Sequence, residues 1–155
     1  MSHTFLLESG AWVLEGSWLD KAQVSVPCKG AIIIGWEEQS WFSLQMKLVF
    51  PQSMPRYGNF NKNPHITFHY KGNIATGRPQ YAFVLKRSDV EKIEGEGWIT
   101  DYSIIQRYWV LGSNMRLHGV ETFYHLEENT YHLTSIMMTG NNLLYTLEAI
   151  LQRHR

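Results

Sequence analysis

Leu143-Leu144-Tyr145-Thr146-Leu147-Glu148-Ala149-Ile150-Leu151-Gln152-Arg153 places Leu143, Tyr145, Leu147, Ala149 and Leu151 at every second position. A period of two marks a strand with one buried face and one wet face. This is the last of three such runs in succession. Met115–Leu126 and Tyr131–Thr139 precede it, and the turn signals Glu127-Glu128-Asn129 and Gly140-Asn141 join them.

The same alternation runs back through the chain. Phe42, Leu44, Met46, Leu48 and Phe50 alternate with Ser43, Gln45, Lys47 and Val49, and Ile66, Phe68 and Tyr70 alternate with His65, Thr67, His69 and Lys71. Weaker versions cover Trp12–Leu19, Ala31–Trp36, Tyr81–Arg87, Lys92–Thr100 and Ser103–Leu111. The exception to a strand pattern is a helical turn expected at Ser88-Asp89-Val90-Glu91. The expected fold is all-β: one antiparallel up-and-down barrel of about ten strands, residues 1–155 forming a single domain. A two-sheet sandwich is the alternative. One connection breaks the rhythm. Pro51 to Pro64 holds Pro55, Gly58 and three Asn, with Met54, Tyr57 and Phe60 among them. Long connections of this kind are often lids over a site, and these three side chains are the lid candidates. The alternative is a surface excursion whose aromatic rings pack on the barrel.

The chain has 155 residues, enough for a sizeable core. Aromatic residues make up 14%, charged residues 18%, and the formal net charge is zero. A balanced chain lacks the basic surface that phosphates require, so a nucleic-acid partner is not expected. No apolar run approaches a membrane span, and Phe5-Leu6-Leu7 is too short for a signal sequence. With Cys28 alone, no internal disulfide can form. A cytoplasmic location is the expectation. Cys28 has no partner motif and reads as structural. In Glu94-Gly95-Glu96-Gly97 the carboxylates would repel a phosphate, and the glycines suit a strand bending at a barrel corner.

Small-molecule sites are apolar pockets with a few convergent polar groups. Arg107, in Ile105-x-Arg107-x-Trp109-x-Leu111, needs a partner if it is buried. It could receive a ligand carboxylate in bidentate fashion, pair with a protein carboxylate, or reach solvent. Glu121, between Gly119 and Phe123, is the carboxylate in the most similar context. His118 shares a mixed face with Val120, Tyr124 and Leu126 and is either a cavity-lining or a core histidine. Trp109 and Tyr145 complete the cavity candidates, Arg107, His118 and Glu121 being the others. His125 and His132 flank a turn and read as surface or hairpin-end residues. No metal site is expected, since no third ligand joins them. His65 and His69 read as outward.

Gly10-Ala11-Trp12-Val13-Leu14-Glu15-Gly16, together with Arg153 closing the last strand, resembles the calycin superfamily of lipocalins, fatty-acid-binding proteins and nitrobindin-like barrels. The nitrobindin type is the nearest look. The resemblance implies that Trp12 and Arg153 close the barrel base, the guanidinium stacking on the indole and capping open backbone. It also implies a bound small molecule, with haem or another tetrapyrrole as a candidate cofactor. Nitrobindin-like proteins place a haem-ligating His in the closing strand. Here that strand reads Asn141-Asn142-Leu143-Leu144-Tyr145-Thr146-Leu147-Glu148, with no His before His154. Cyanobacterial bilin lyases share the ten-strand plan, without further motifs here. Four functions follow: a binding barrel for a small hydrophobic or amphipathic ligand, an enzyme using the same cavity for isomerisation, cyclisation or chromophore attachment, a haem barrel, and a homodimer surface on outward residues such as Val49. The enzyme requires two titratable groups converging inside.

Overall fold

The computed structural model describes residues 2–38, 40–51, 65–88, 92–112, 114 and 116–154. Ten strands form in chain order: β1 Gly10–Asp20, β2 Ser25–Glu37, β3 Trp41–Val49, β4 His65–Asn73, β5 Gln80–Arg87, β6 Ile93–Ile99, β7 Ser103–Val110, β8 Leu117–Glu127, β9 Thr130–Thr139 and β10 Asn142–His154. Each pairs antiparallel with its neighbours in sequence, and β1 closes on β10. The result is a closed up-and-down barrel, so the sandwich alternative falls away. Closure leaves no strand edge unpaired. Among the described residues no helix is long and apolar enough to cross a membrane. The lid candidates Met54, Tyr57 and Phe60, and most of the helical turn expected at 88–91, lie outside the described residues.

Alternation puts every second side chain inside. In β5 Tyr81, Phe83, Leu85 and Arg87 are buried while Ala82, Val84 and Lys86 are exposed. At the seam Trp12 lies opposite Arg153, Leu14 opposite Leu151, Gly16 opposite Ala149 and Trp18 opposite Leu147. The two ends quoted from the sequence therefore meet as neighbours. Gly16 has a steric cause: a Cβ there would sit 2.0 Å from the Glu148 carbonyl oxygen and 2.6 Å from Ala149 Cα. Gly95 and Gly97 lie under the rings of Phe83 and Tyr81, which a Cβ would strike at 2.2 Å. They let large rings lie flat against the wall.

One end of the barrel, the base, is closed by residues 2–9, which precede β1. Phe5 is fully buried and stacks on Phe123 at 4.6 Å, with Trp12 and Tyr131 at its edges. Such ring pairs contribute about 0.5–1.5 kcal/mol each beyond area burial. The Trp36 indole donates to the Leu6 carbonyl at 2.8 Å. Arg153 donates to Glu8 at 2.9 Å and to the Ser9 carbonyl at 2.8 Å, so it does cap backbone. Its guanidinium makes no cation–ring contact with Trp12, whose ring is met by Phe5 and Tyr131 instead. Phe5 and Leu6 are thus the buried hydrophobic part of a plug, with Leu7 exposed beside them.

Candidate ligand-binding interior

A chain of polar side chains crosses the apolar lumen. Tyr81 of β5 donates to Gln106 Oε1 of β7 at 2.7 Å. Gln106 Nε2 donates to Glu121 Oε1 of β8 at 2.8 Å, and Tyr70 of β4 donates to the same oxygen at 2.8 Å. Ser135 of β9 also bonds Glu121. Higher in the barrel, Arg87 Nη1 donates to the Tyr145 hydroxyl at 2.7 Å and lies 3.3 Å from Met137 Sδ. Tyr145 shares a hydrogen bond with Tyr108. The Arg87 guanidinium stands 4.8 Å above the Phe68 ring and 5.5 Å above that of Tyr145. Trp18 stacks on Tyr145 at 3.8 Å.

Burying a cation and a carboxylate costs several kcal/mol each unless hydrogen bonds and opposite charge offset it. Here both occur. Burial pushes the Glu121 carboxyl above its usual range, while the bonds from Gln106 and Tyr70, the charge of Arg87 and the bond to Ser135 oppose that rise. Burial also raises Tyr70 and Tyr108 well above the ordinary phenol value, and raises Tyr145 against the pull of Arg87. These phenols therefore stay protonated at neutral pH, Tyr70 donating to Glu121 and Tyr145 accepting from Arg87. The Trp18 indole nitrogen is buried with no hydrogen-bond partner. An unsatisfied buried N–H costs about 1–3 kcal/mol. The Arg87–Tyr145–Trp18 group sits at the end of the barrel opposite the plug, where β3 leads into residues 52–64.

The sequence candidates divide. Glu121 and Tyr145 are inside. Arg107 is outside: its side chain is 58% exposed, pairs with Glu96 at 2.6 Å and lies over the Trp109 ring at 5.4 Å. Trp109 is half-buried on the same outer wall, and His118 is exposed. The error is one of strand parity. Both faces of β7 carry apolar side chains, and the inner one is the face that takes Gln106, which Glu121 and Tyr81 satisfy. The Arg107–Glu121 pairing is therefore replaced by an interior in which Arg87 holds the cation role. Sequence reading misses Arg87, although it shares the parity of the large side chains Tyr81, Phe83 and Leu85, because Ala82 and Val84 leave the other face apolar as well. His125 does lie at the hairpin end, opposite Tyr131, but it is buried rather than on the surface, stacked on that ring at 4.4 Å. His132 faces outward beside Glu148 at 3.7 Å. Burial pushes the Cys28 thiol up to about 11, which makes it a poor nucleophile.

Among the described residues no three His, Cys, Asp or Glu side chains could hold a metal. Haem finds no histidine here either. Among the described residues the buried histidines are His3 and His125, both packed with the Tyr131 ring at the base. The outer wall carries a groove of about 860 Å³ running from Trp41 to Trp109, floored by Ala82 and Val84.

No protein-family model matches the chain, and no curated protein matches it by sequence. Solved structures do. Rv2717c from M. tuberculosis superposes with a TM-score of 0.71 at 11% identity, covering 95% of this chain and 92% of that one. The S-type phycobiliprotein lyase CPES from Guillardia theta superposes with a TM-score of 0.63 at 15% identity, covering 95% and 88%. At these identities the likeness is one of fold alone, that of the closed ten-stranded barrel described above.

Proposed function

We propose that this barrel binds a small hydrophobic or amphipathic molecule with an acidic head, held where Arg87, Tyr145 and Trp18 meet. The observation that carries this is the buried guanidinium set among the Phe68 and Tyr145 rings, with Trp18 stacked on the same Tyr145 and its indole N–H without a partner among the described residues. A carboxylate entering there can accept from Arg87, while Phe68, Phe50, Trp18 and Tyr145 cover an apolar body. The buried thiol of Cys28 suits a reducing compartment such as the cytoplasm.

Native mass spectrometry of the purified protein would show co-purified mass. Titration with anilinonaphthalene sulfonate, an anionic aromatic probe that brightens when buried, would test the site directly. A barrel that carries no mass and leaves the probe dark would refute the proposal.

Glu121 favours a second reading, an enzyme using the same interior. Its carboxyl is fully buried, raised towards the protonated form and joined to Tyr70, giving two titratable groups in one place. Turnover that is lost in Glu121→Gln while ligand binding persists would favour it over the carrier.

A further inference from the structure

The base of the barrel holds a set of hydrogen bonds whose directions fix a protonation state. The Thr100 carbonyl can accept but not donate, so His3 Nε2, 2.7 Å away, carries a proton. The amides of Thr4 and Phe5 can donate but not accept, and both point at the Tyr131 oxygen, at 3.1 and 3.3 Å. The Thr4 hydroxyl, also bonded to Tyr131, turns its proton to the Glu128 carbonyl, and the Tyr131 proton serves His3 Nδ1, 2.7 Å away. His3 is therefore held as the neutral imidazole with a proton on Nε2. A second proton on Nδ1 would face the Tyr131 oxygen, which already accepts two N–H groups, and would strand the Tyr131 hydroxyl.

The surroundings oppose that second proton. The His125 ring stacks on His3 at 5.3 Å. Burial is the main cause that holds His3 below the ordinary value of 6.5, and His125 acts in the same direction. The Thr100 carbonyl bond and Asp101, in the turn between β6 and β7, pull the other way without prevailing. The β8–β9 turn brings its exposed Glu127 and Glu128, and Glu8 is engaged by Arg153.

The segment is also strained where it bends. Leu6 sits at φ 70°, in the left-handed region that L-residues rarely adopt. Buried packing of Phe5 and Leu6 holds that strain in place.

We propose that residues 2–9 form a pH-released plug, which seals the barrel base at neutral pH and undocks as His3 takes up a proton, exposing the pocket of Trp12, Phe123 and Tyr131. A freed His3 titrates near 6.5 and the docked one lower, so the undocked form binds more protons. Docking is at full strength above pH 6.5 and weakens as pH falls below it.

Hydrogen exchange by mass spectrometry, on the full chain and corrected for intrinsic rates, reads this out. Between pH 7.5 and 5.0 the protection of the 2–9 peptide should fall about tenfold while β10 stays protected. His3→Gln keeps a donor for the Thr100 carbonyl and cannot titrate, so its plug protection should not vary with pH. His125→Phe keeps a ring on Tyr131 and relieves His3 of one opposing imidazole, so release should move to lower pH. Plug protection that is constant in the wild-type chain overturns the proposal, as does a His3→Gln chain that loses protection just as the wild type does. The wild-type series decides the matter even if a variant fails to fold.

Discussion

Arg87 of β5 donates to the Tyr145 hydroxyl of β10 at 2.7 Å, across the lumen, between two strands that share no wall hydrogen bonds. The bond ties opposite sides of the barrel at the end away from the plug. It also sets a guanidinium against the ring that Trp18 covers.

Replacing Arg87 with Met keeps the apolar stem and removes the cation. Charge-assisted bonds are worth about 1.5–3 kcal/mol, so affinity for an anionic amphipathic probe should fall at least about tenfold. An uncharged probe of the same shape should lose much less. Parallel titrations of anilinonaphthalene sulfonate and a neutral naphthyl analogue, followed by fluorescence, compare the two. Equal losses would place the anion elsewhere.

Glu121→Gln tests the buried carboxyl through stability. Burial holds the folded-state value above the ordinary 4.5, so the native chain keeps its proton to higher pH than the unfolded chain does. Between 4.5 and the folded value, unfolding releases a proton, and this group's contribution to stability falls as pH rises. The amide can still accept from Tyr70 and Gln106 and does not titrate. Wild-type stability should therefore drop relative to the variant as pH rises from 4.5, by roughly 1.4 kcal/mol for each pH unit of displacement. Urea midpoints at three pH values measure it, and parallel curves would contradict the assignment.

The wall of this barrel is legible in the sequence where one face is apolar and the other polar. β3 and β4 show such alternation; β5 shows it only weakly, because Ala82 and Val84 make its outer face apolar too, and Arg87 at its end is correspondingly harder to place. The same rule fails in β7, where Ile105, Trp109 and Val110 leave neither face polar and where Gln106 and Arg107 compete as the inward polar residue. Pairing decided the matter: Gln106 meets Glu121 and Tyr81 inside, and Arg107 meets Glu96 outside. His3 and His125 were beyond local reading altogether. His3 reaches Tyr131 and His125 through contacts spanning more than a hundred positions, and no periodicity encodes such contacts.

The two glycines Gly16 and Gly35 should respond oppositely to alanine. At Gly16 the added methyl meets the Glu148 carbonyl and Ala149 Cα, which are backbone and cannot swing aside. At Gly35 it meets nothing within 4 Å. Gly16→Ala should cost about 1–3 kcal/mol by forcing the β1–β10 seam apart. Gly35→Ala should be neutral or stabilising by up to about 1 kcal/mol, because alanine loses less chain entropy. Thermal melts of the pair give the contrast. If Gly16→Ala is tolerated as well as Gly35→Ala, the closure is looser than the register implies.

Phe5→Ala separates the plug from the wall. The ring is fully buried against Phe123, Trp12 and Tyr131, and β1 begins five residues later, so its loss empties the base without touching any strand. Large-to-small changes at such sites cost about 3–5 kcal/mol when the hole cannot collapse. Here the segment can lift away, so the cost should fall toward the lower figure, with water entering beneath Trp12. Chemical denaturation gives the energy, and the red shift of indole emission reports the wetting. A loss well under 1 kcal/mol with unchanged emission would show that Phe5 adds nothing to the closed base, and that Arg153, Glu8 and Ser9 hold it shut alone.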